Sequence, residues 1–324
     1  MKPPATHQAS FCRQWLRGLL PFALGALVGA AAPVAAGADL TSQYTESFRR
    51  DCAFGAAHTA VLRRHKVLLV SGYFGDVDPK YFADQARWLA ALGVEQERVA
   101  VKSRDTVAVN APIVAAAIRA SAKPVLLVTH SKGSVDALEA LVADASLRAK
   151  VKGWISLQGA FLGTPVADWL LDGSLINPLT AIAILEFFGG TKASAQGLTT
   201  TASRAWYREH EGAIGAVLRD VPAVAFVSSL DEARGERASS FLEITRQLMA
   251  NRGIASDGLL PADAAVLPGM DFVRATGIDH IAPVMPALEP LDRVRMTKAL
   301  LLTMKGPLRD LPAERNCKGD GSKK

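Results

Sequence analysis

The residue types most able to do chemistry begin with Thr129-His130-Ser131-Lys132-Gly133. This pentapeptide follows the apolar run Val125 to Val128. It precedes a helical pattern in which Val135, Leu138, Ala140 and Leu141 are spaced to face a core. A serine on so sharp a strand-to-helix turn forms a nucleophile elbow: the turn strains the backbone and lifts Oγ clear of the sheet. Lys132 then falls in the first helical turn, where its backbone N–H has no helical acceptor and can stabilise an oxyanion. Gly133 is required where strand and helix approach closely. The bland alternative makes Ser131 an ordinary helix N-cap. A second chemical turn, Ser71-Gly72-Tyr73-Phe74-Gly75-Asp76, follows the apolar strand Lys66 to Val70. No G-x-x-x-x-G-K-[ST] follows it, so a phosphate loop is not supported, and the turn reads better as the second half of an oxyanion hole.

These turns need a scaffold, and the surrounding pattern describes one. Further strands are expected at Val99 to Lys102, Val151 to Leu157, Ala223 to Ser229 and Asp271 to Ala275. Helices are expected at Leu40 to Arg64, Pro79 to Leu92, Ala111 to Ala120, Ser239 to Asn251 and Leu291 to Lys305. Strands alternating with helices of this length imply an α/β chain with a mainly parallel central sheet and helices on both faces. The stretch Val166 to Ser203 differs in character. Asn177 to Phe188 is apolar nearly all round and lies between Gly173 and Gly189-Gly190, which suits a helical cap or lid over an apolar site; core is the alternative. Thr191 to Ser203 is rich in Ser, Thr and Gly and reads as loop.

Five local texts, in this order, resemble bacterial lipases and related esterases of the α/β-hydrolase fold. They are LLVSGYFG, VTHSKGSVDA, ISLQGAFLGTPVAD, SDGLLP and GIDHIAPV. Ser131, Asp257 and His280 follow the nucleophile–acid–histidine order of that fold. The resemblance spans about Lys66 to Lys305 and implies a minimal sheet lacking the first two strands of larger members. It also implies roles: Ser131 as nucleophile, His280 as base, Asp257 as the acid that orients it, and the backbone N–H groups of Tyr73 and Lys132 as the oxyanion hole. Thr129 stands where the elbow usually has its first glycine, Ser71 where a histidine precedes the loop glycine, and Ala282 where some secreted lipases carry a calcium-binding aspartate. No metal or cofactor is therefore expected. Asp231 is the competing acid. It sits in the charged run Asp231 to Arg237, which reads as a solvated turn, whereas Asp257 has no charged neighbour within four positions and precedes Gly258.

The implied chemistry is acyl transfer from an apolar ester or lipid to water. Two alternatives stay open: a non-catalytic binding module on a hydrolase scaffold, and an acyltransferase or amidase running on the same trio. His130 adjoins the nucleophile with its side chain expected to point away from Oγ; it, His58, His65 and His210 read as packing or surface residues.

Residues 1–38 carry the marks of an export signal: Lys2, Arg13 and Arg17, then apolar Leu19 to Val34, then Ala36-Gly37-Ala38 before Asp39. The expected product is a periplasmic or secreted domain, residues 39–324, with its lid at 166–203 and no stable membrane anchor after cleavage. The net charge is +6, and half of it belongs to those three signal-segment cations. With no clustered basic face interleaved with aromatics, nucleic acid is not an expected partner. Cys52 and Cys317 remain after processing, and an even count in an exported chain suggests a disulfide between them. The oligomeric state cannot be read from the sequence.

Overall fold

The computed structural model describes residues 37–174, 178–187 and 192–312. Six strands form one sheet in the order β2-β1-β3-β4-β5-β6. They are β1 (Lys66–Val70), β2 (Glu95–Arg98), β3 (Val125–His130), β4 (Val151–Leu157), β5 (Ala223–Ser229) and β6 (Asp271–Thr276). Every neighbouring pair is parallel. The central strands β3 and β4 are mostly apolar, with Lys152 the one exposed position in them, because both faces of the sheet are covered. Successive residues point to opposite faces, so Leu68, Val70 and Leu127 enter one core while Val67, Leu69, Leu126 and Val128 enter the other.

The first core is closed by α4 (Val107–Ala120), α5 (Lys132–Ala143) and α9 (Thr200–Asp220), through Val114, Leu138 and Val217. The second is closed by α1 (Thr41–Arg49), α2 (Ala56–Leu62), α3 (Ala83–Ala91) and α11 (Arg293–Thr303), through Tyr44, Leu62, Leu89 and Leu300. This layering carries the sequence's expected architecture. The third and smaller core gathers Tyr73, Val166, Ile184, Leu198, Leu242, Leu259 and Leu260.

Several local expectations are corrected. The expected strand at Val99 to Lys102 lies four residues early, at Glu95–Arg98. This is an edge strand with no fully buried residue, and Lys66 pairs across it with Glu97 at 2.6 Å, so its pattern is ionic rather than apolar. Leu40 to Arg64 is not one helix; it breaks between α1 and α2 around Gly55, which starts α2. Pro79 to Leu92 is helical only from Ala83, because Phe82 adopts φ 57° just before it. Ser239 to Asn251 begins at Leu242, forming α10 (Leu242–Ala250), after Ser240 at φ 52°.

The stretch expected as a lid contains α6 (Pro165–Asp172), α7 (Pro178–Phe187) and α8 (Lys192–Gln196). Thr191 to Ser203 is thus not the expected loop, since it holds α8 and the start of α9. Thr199 caps α9 by accepting from the Ala202 N–H at 3.2 Å, and the Asp168 carboxylate takes both the N–H and the hydroxyl of Thr200. Ile184 of α7 is buried, while Leu179 and Ile182 are exposed. Asn177, Phe188 and the Gly189-Gly190 pair lie outside the described residues, as do residues 1–36 and Cys317.

Beyond β6 the chain's early residues add a last strip of pairing. The Ala38 carbonyl accepts from Phe272 N at 3.0 Å, and Leu40 N donates to the Phe272 carbonyl at 2.8 Å. The expected signal cut after Ala38 falls within this strip.

Candidate active site

β3 delivers Ser131 at its C-terminal end, between two neighbouring strands. Ser131 adopts φ 53°, ψ −128°, a conformation costly for a residue with a Cβ. Its surroundings enforce it: Ser131 N donates to the Leu157 carbonyl at 3.0 Å, and the Ser131 carbonyl accepts from Ser134 N at 3.0 Å and Ala160 N at 3.2 Å. A Cβ at Gly133 would lie 2.5 Å from the carbonyl oxygens of both Val70 and Ser71, so α5 can start this close to β1 only with glycine. Thr129 has a purpose that a glycine could not serve. Its hydroxyl meets the Ser134 hydroxyl at 2.7 Å and accepts from Trp154 Nε1 at 2.9 Å, in the buried layer beneath the elbow.

The two other residues of the trio come from loops far along the chain. His280 Nε2 lies 2.9 Å from Ser131 Oγ, and His280 Nδ1 lies 2.8 Å from Asp257 Oδ2. The other carboxylate oxygen, Oδ1, accepts from Leu259 N at 2.9 Å and Leu260 N at 2.7 Å. The two loops are also tied through their backbones, His280 N donating to the Asp257 carbonyl at 2.9 Å. All three side chains are buried. Gly258 takes φ 101° in the acid loop, with Leu242 and Ala238 packed against it. Next to His280, Asp279 accepts from Ser239 N and Oγ and from Ile281 N and Ala282 N, which fixes the His280 turn against the segment before α10. Asp231 is elsewhere: its carboxylate caps Ala233 at 2.9 Å and pairs with Arg234 at 3.4 Å on the surface.

The expected oxyanion donors flank the same serine. Lys132 is the first residue of α5, so its N–H has no acceptor within the helix. Tyr73 follows Gly72, and a Cβ on Gly72 would lie 2.8 Å from the Ser131 Cβ, so this turn rests directly on Ser131. The Lys132 side chain turns inward to Asp136, with Nζ 2.9 and 3.0 Å from the two carboxylate oxygens; both groups are almost fully buried. Burial pushes the Asp136 carboxyl up to about 7, against the opposing pull of Lys132 and Asn110.

A cavity of about 220 Å³ opens over Ser131 and His280, walled by Phe74, Phe241, Leu242 and Met285. A second, of about 390 Å³, is lined by Lys132 and walled by Val107, Val135, Phe161, Leu198 and Trp206. Both are mainly apolar. Among the described residues no group of three or more His, Cys, Asp or Glu is placed to hold a metal ion. A nucleophile hydrogen-bonded to an imidazole, itself oriented by a carboxylate, beside two candidate oxyanion donors, is an arrangement able to transfer acyl groups.

Sequence reasoning missed the place of three residues in the site: His130, read as packing or surface, Tyr81 and Gln158. His130 is buried with its ring centroid 4.8 Å from that of His280, so it is neither a surface residue nor simple packing. Its place beside the nucleophile was the available signal. His65 bonds the Val61 carbonyl at 2.9 Å and His210 stacks on Trp206 at 4.6 Å, both local contacts.

No protein-family model and no curated protein sequence matches this chain. Solved structures do. A metagenomic carboxyl esterase is 22% identical, covers 74% of this chain and 74% of its own, and superposes with a TM-score of 0.59. The mature form of the Bacillus licheniformis lipase BlEst2 is 18% identical, covering 67% of this chain and 85% of its own, with a TM-score of 0.54. At these identities the likeness is one of fold, and with the parallel sheet and elbow above it establishes the α/β-hydrolase fold.

Proposed function

We propose that this chain is a serine hydrolase that cleaves carboxylic esters with apolar acyl groups, through an acyl-enzyme on Ser131. The continuous hydrogen-bond chain Asp257–His280–Ser131 carries this reading. The names of the two fold neighbours, an esterase and a lipase, agree with it.

In the reading proposed, Ser131 Oγ attacks the ester carbonyl carbon and passes its proton to His280 Nε2. Asp257 holds Nδ1–H and stabilises the imidazolium that forms. The carbonyl oxygen becomes an oxyanion against the N–H groups of Tyr73 and Lys132, in a site where water is largely excluded. Collapse of the tetrahedral intermediate expels the alkoxide, which takes the proton from Nε2. A water then repeats the sequence on the acyl-enzyme and frees the acid. The apolar cavity over Ser131 and His280 suits hydrocarbon rather than charged acyl groups.

We further infer that residues 1–38 direct export to the periplasm or beyond, that residues 39–324 are one hydrolase domain, and that 166–203 forms its cover. No helix among the described residues is long and apolar enough to cross a membrane. Ser131→Ala tests the central reading. It should keep the melting temperature and reduce hydrolysis of p-nitrophenyl esters to the residual level of oxyanion and binding catalysis, about 10³–10⁴ over water. It should also abolish fluorophosphonate labelling. Parental rates in the variant would remove Ser131 from the mechanism.

A further inference from the structure

The residue before the nucleophile is bonded to both halves of the site around it. His130 Nε2 lies 2.8 Å from the His280 carbonyl and 3.2 Å from Gln158 Oε1. The orientation of the Gln158 amide is set by its other end, where Nε2 donates to the Asp279 carbonyl at 3.0 Å and to Ser228 Oγ at 2.5 Å. His130 Nε2 thus faces two acceptors and must carry the ring proton. Nδ1 is left as an acceptor, and it meets Tyr81 Oη at 2.5 Å. The Tyr81 hydroxyl therefore donates to His130, and its oxygen is free to accept Gly72 N–H at 3.0 Å. Each proton has one consistent direction: Gly72 N–H to Tyr81, Tyr81 O–H to His130 Nδ1, His130 Nε2–H to the His280 carbonyl.

We propose that Tyr81 and His130 are positioning residues, a hydrogen-bonded relay that sets the oxyanion turn and the base-bearing loop relative to Ser131. The inference rests on the ester-hydrolase reading above. One end of the relay holds the N–H of Gly72, the residue immediately before Tyr73. The other end holds the backbone of His280 itself. Its middle is covalently attached to Ser131. The distances that matter in acyl transfer, Nε2 to Oγ and the Tyr73 N–H to the oxyanion, are therefore fixed by a buried path shared between the segments that supply them. Gln158 braces the same loop one residue earlier, at Asp279.

His130 does not compete with His280 for the proton of Ser131. Its Nδ1 is occupied by Tyr81, and burial together with the neighbouring His280 holds its pKa well below the usual histidine range. A neutral ring also suits its neighbour. When His280 takes the proton of Ser131, a second charge on the ring beside it would oppose that step.

The test compares Tyr81→Phe, His130→Leu and His130→Gln with the parent. The readouts are kcat and KM on p-nitrophenyl butyrate, the rate of fluorophosphonate labelling of Ser131, and the melting temperature. Tyr81→Phe deletes only the hydroxyl, and His130→Leu deletes both ring contacts. In a site where displacements of about 1 Å cost about 10²-fold, each should lower kcat and labelling rate by about 10–10² while KM changes by less than about threefold. Glutamine retains an N–H for the His280 carbonyl and an oxygen for Tyr81, so His130→Gln should recover about tenfold over His130→Leu. Parental kcat in Tyr81→Phe and His130→Leu would overturn the relay. So would a glutamine variant no better than leucine, with rates following the melting temperature, since that is the behaviour of a packing residue. A parent that neither hydrolyses esters nor reacts with fluorophosphonate would instead sink the ester-hydrolase reading, and the positioning role with it.

Discussion

Replacing Asp257 with asparagine isolates the one function of its carboxylate that the geometry makes irreplaceable. Oδ1 accepts two backbone N–H groups, from Leu259 and Leu260. Only a carbonyl oxygen can take that position, because an amide nitrogen there would face two donors in a buried loop. The amide NH₂ of the substituted side chain is thereby forced to the Oδ2 position, 2.8 Å from His280 Nδ1. A donor at that point requires Nδ1 to be an acceptor, which moves the ring proton to Nε2, facing Ser131 Oγ. The imidazole then presents N–H to a hydroxyl whose proton the proposed mechanism has it remove. Wrong-tautomer substitutions of this kind lower kcat by about 10⁴ in the serine-protease template. That is a barrier increase of about 5 kcal/mol at 1.36 kcal/mol per tenfold. The loop's backbone bonds survive, so the melting temperature should stay within a few degrees. The assay is steady-state hydrolysis of p-nitrophenyl butyrate, with Asp231→Asn as the control. The control should change kcat by less than about tenfold, as its carboxylate serves only an exposed turn. An Asp257→Asn enzyme within tenfold of the parent would refute the tautomer argument, and a larger loss in Asp231→Asn would transfer the acid to that position.

Other expectations follow from the same geometry. Asp136→Asn leaves the buried Lys132 ammonium without its counter-ion and should cost about 3–5 kcal/mol in urea unfolding at pH 8, while Lys132→Met with Asp136→Leu should recover most of the loss; equal loss in single and double variants would deny the pairing any role. In the parent, the Asp136 value of about 7 lies above the ordinary 3.8, so ionisation is disfavoured by the fold. This carboxyl's contribution is complete below pH 4 and is lost as pH rises to about 7, a slope that unfolding curves of Asp136→Asn should lack. If α7 covers the acyl site, Leu179→Ser with Ile182→Ser should reduce rates on long-chain esters more than on short-chain esters with the melting temperature unchanged, since both side chains are exposed; equal reduction on both would remove the cover. If the chain is exported as proposed, Cys52 and Cys317 should pair, with non-reducing mass spectrometry finding no alkylatable thiol; two such thiols per native chain would exclude the bond.

What could be read along the chain and what could not divide on a physical line. The bounds of β1, β4 and β5 were legible because strands buried on both faces are mostly apolar, whatever they pack against. Ser131, Asp257 and His280 were legible as candidates because each stands in a turn with its own local text, and local text needs no partner to be recognised. Tertiary structure alone brought them together: His280 is 149 residues from Ser131 and 23 from Asp257, and no spacing in the sequence encodes a 2.9 Å contact across such a separation. The edge strand Glu95–Arg98 escaped because its residues are polar and its register comes from pairing with β1. His130 escaped for a related reason. Taken alone it is one polar residue at the end of an apolar strand, consistent with packing or surface. Its bonds reach 49 residues back to Tyr81, 28 forward to Gln158 and 150 forward to His280. A buried hydrogen bond is specified by two ends and a distance, and the sequence shows only the ends; the fold supplies the distance, and with it the direction of every proton in the relay.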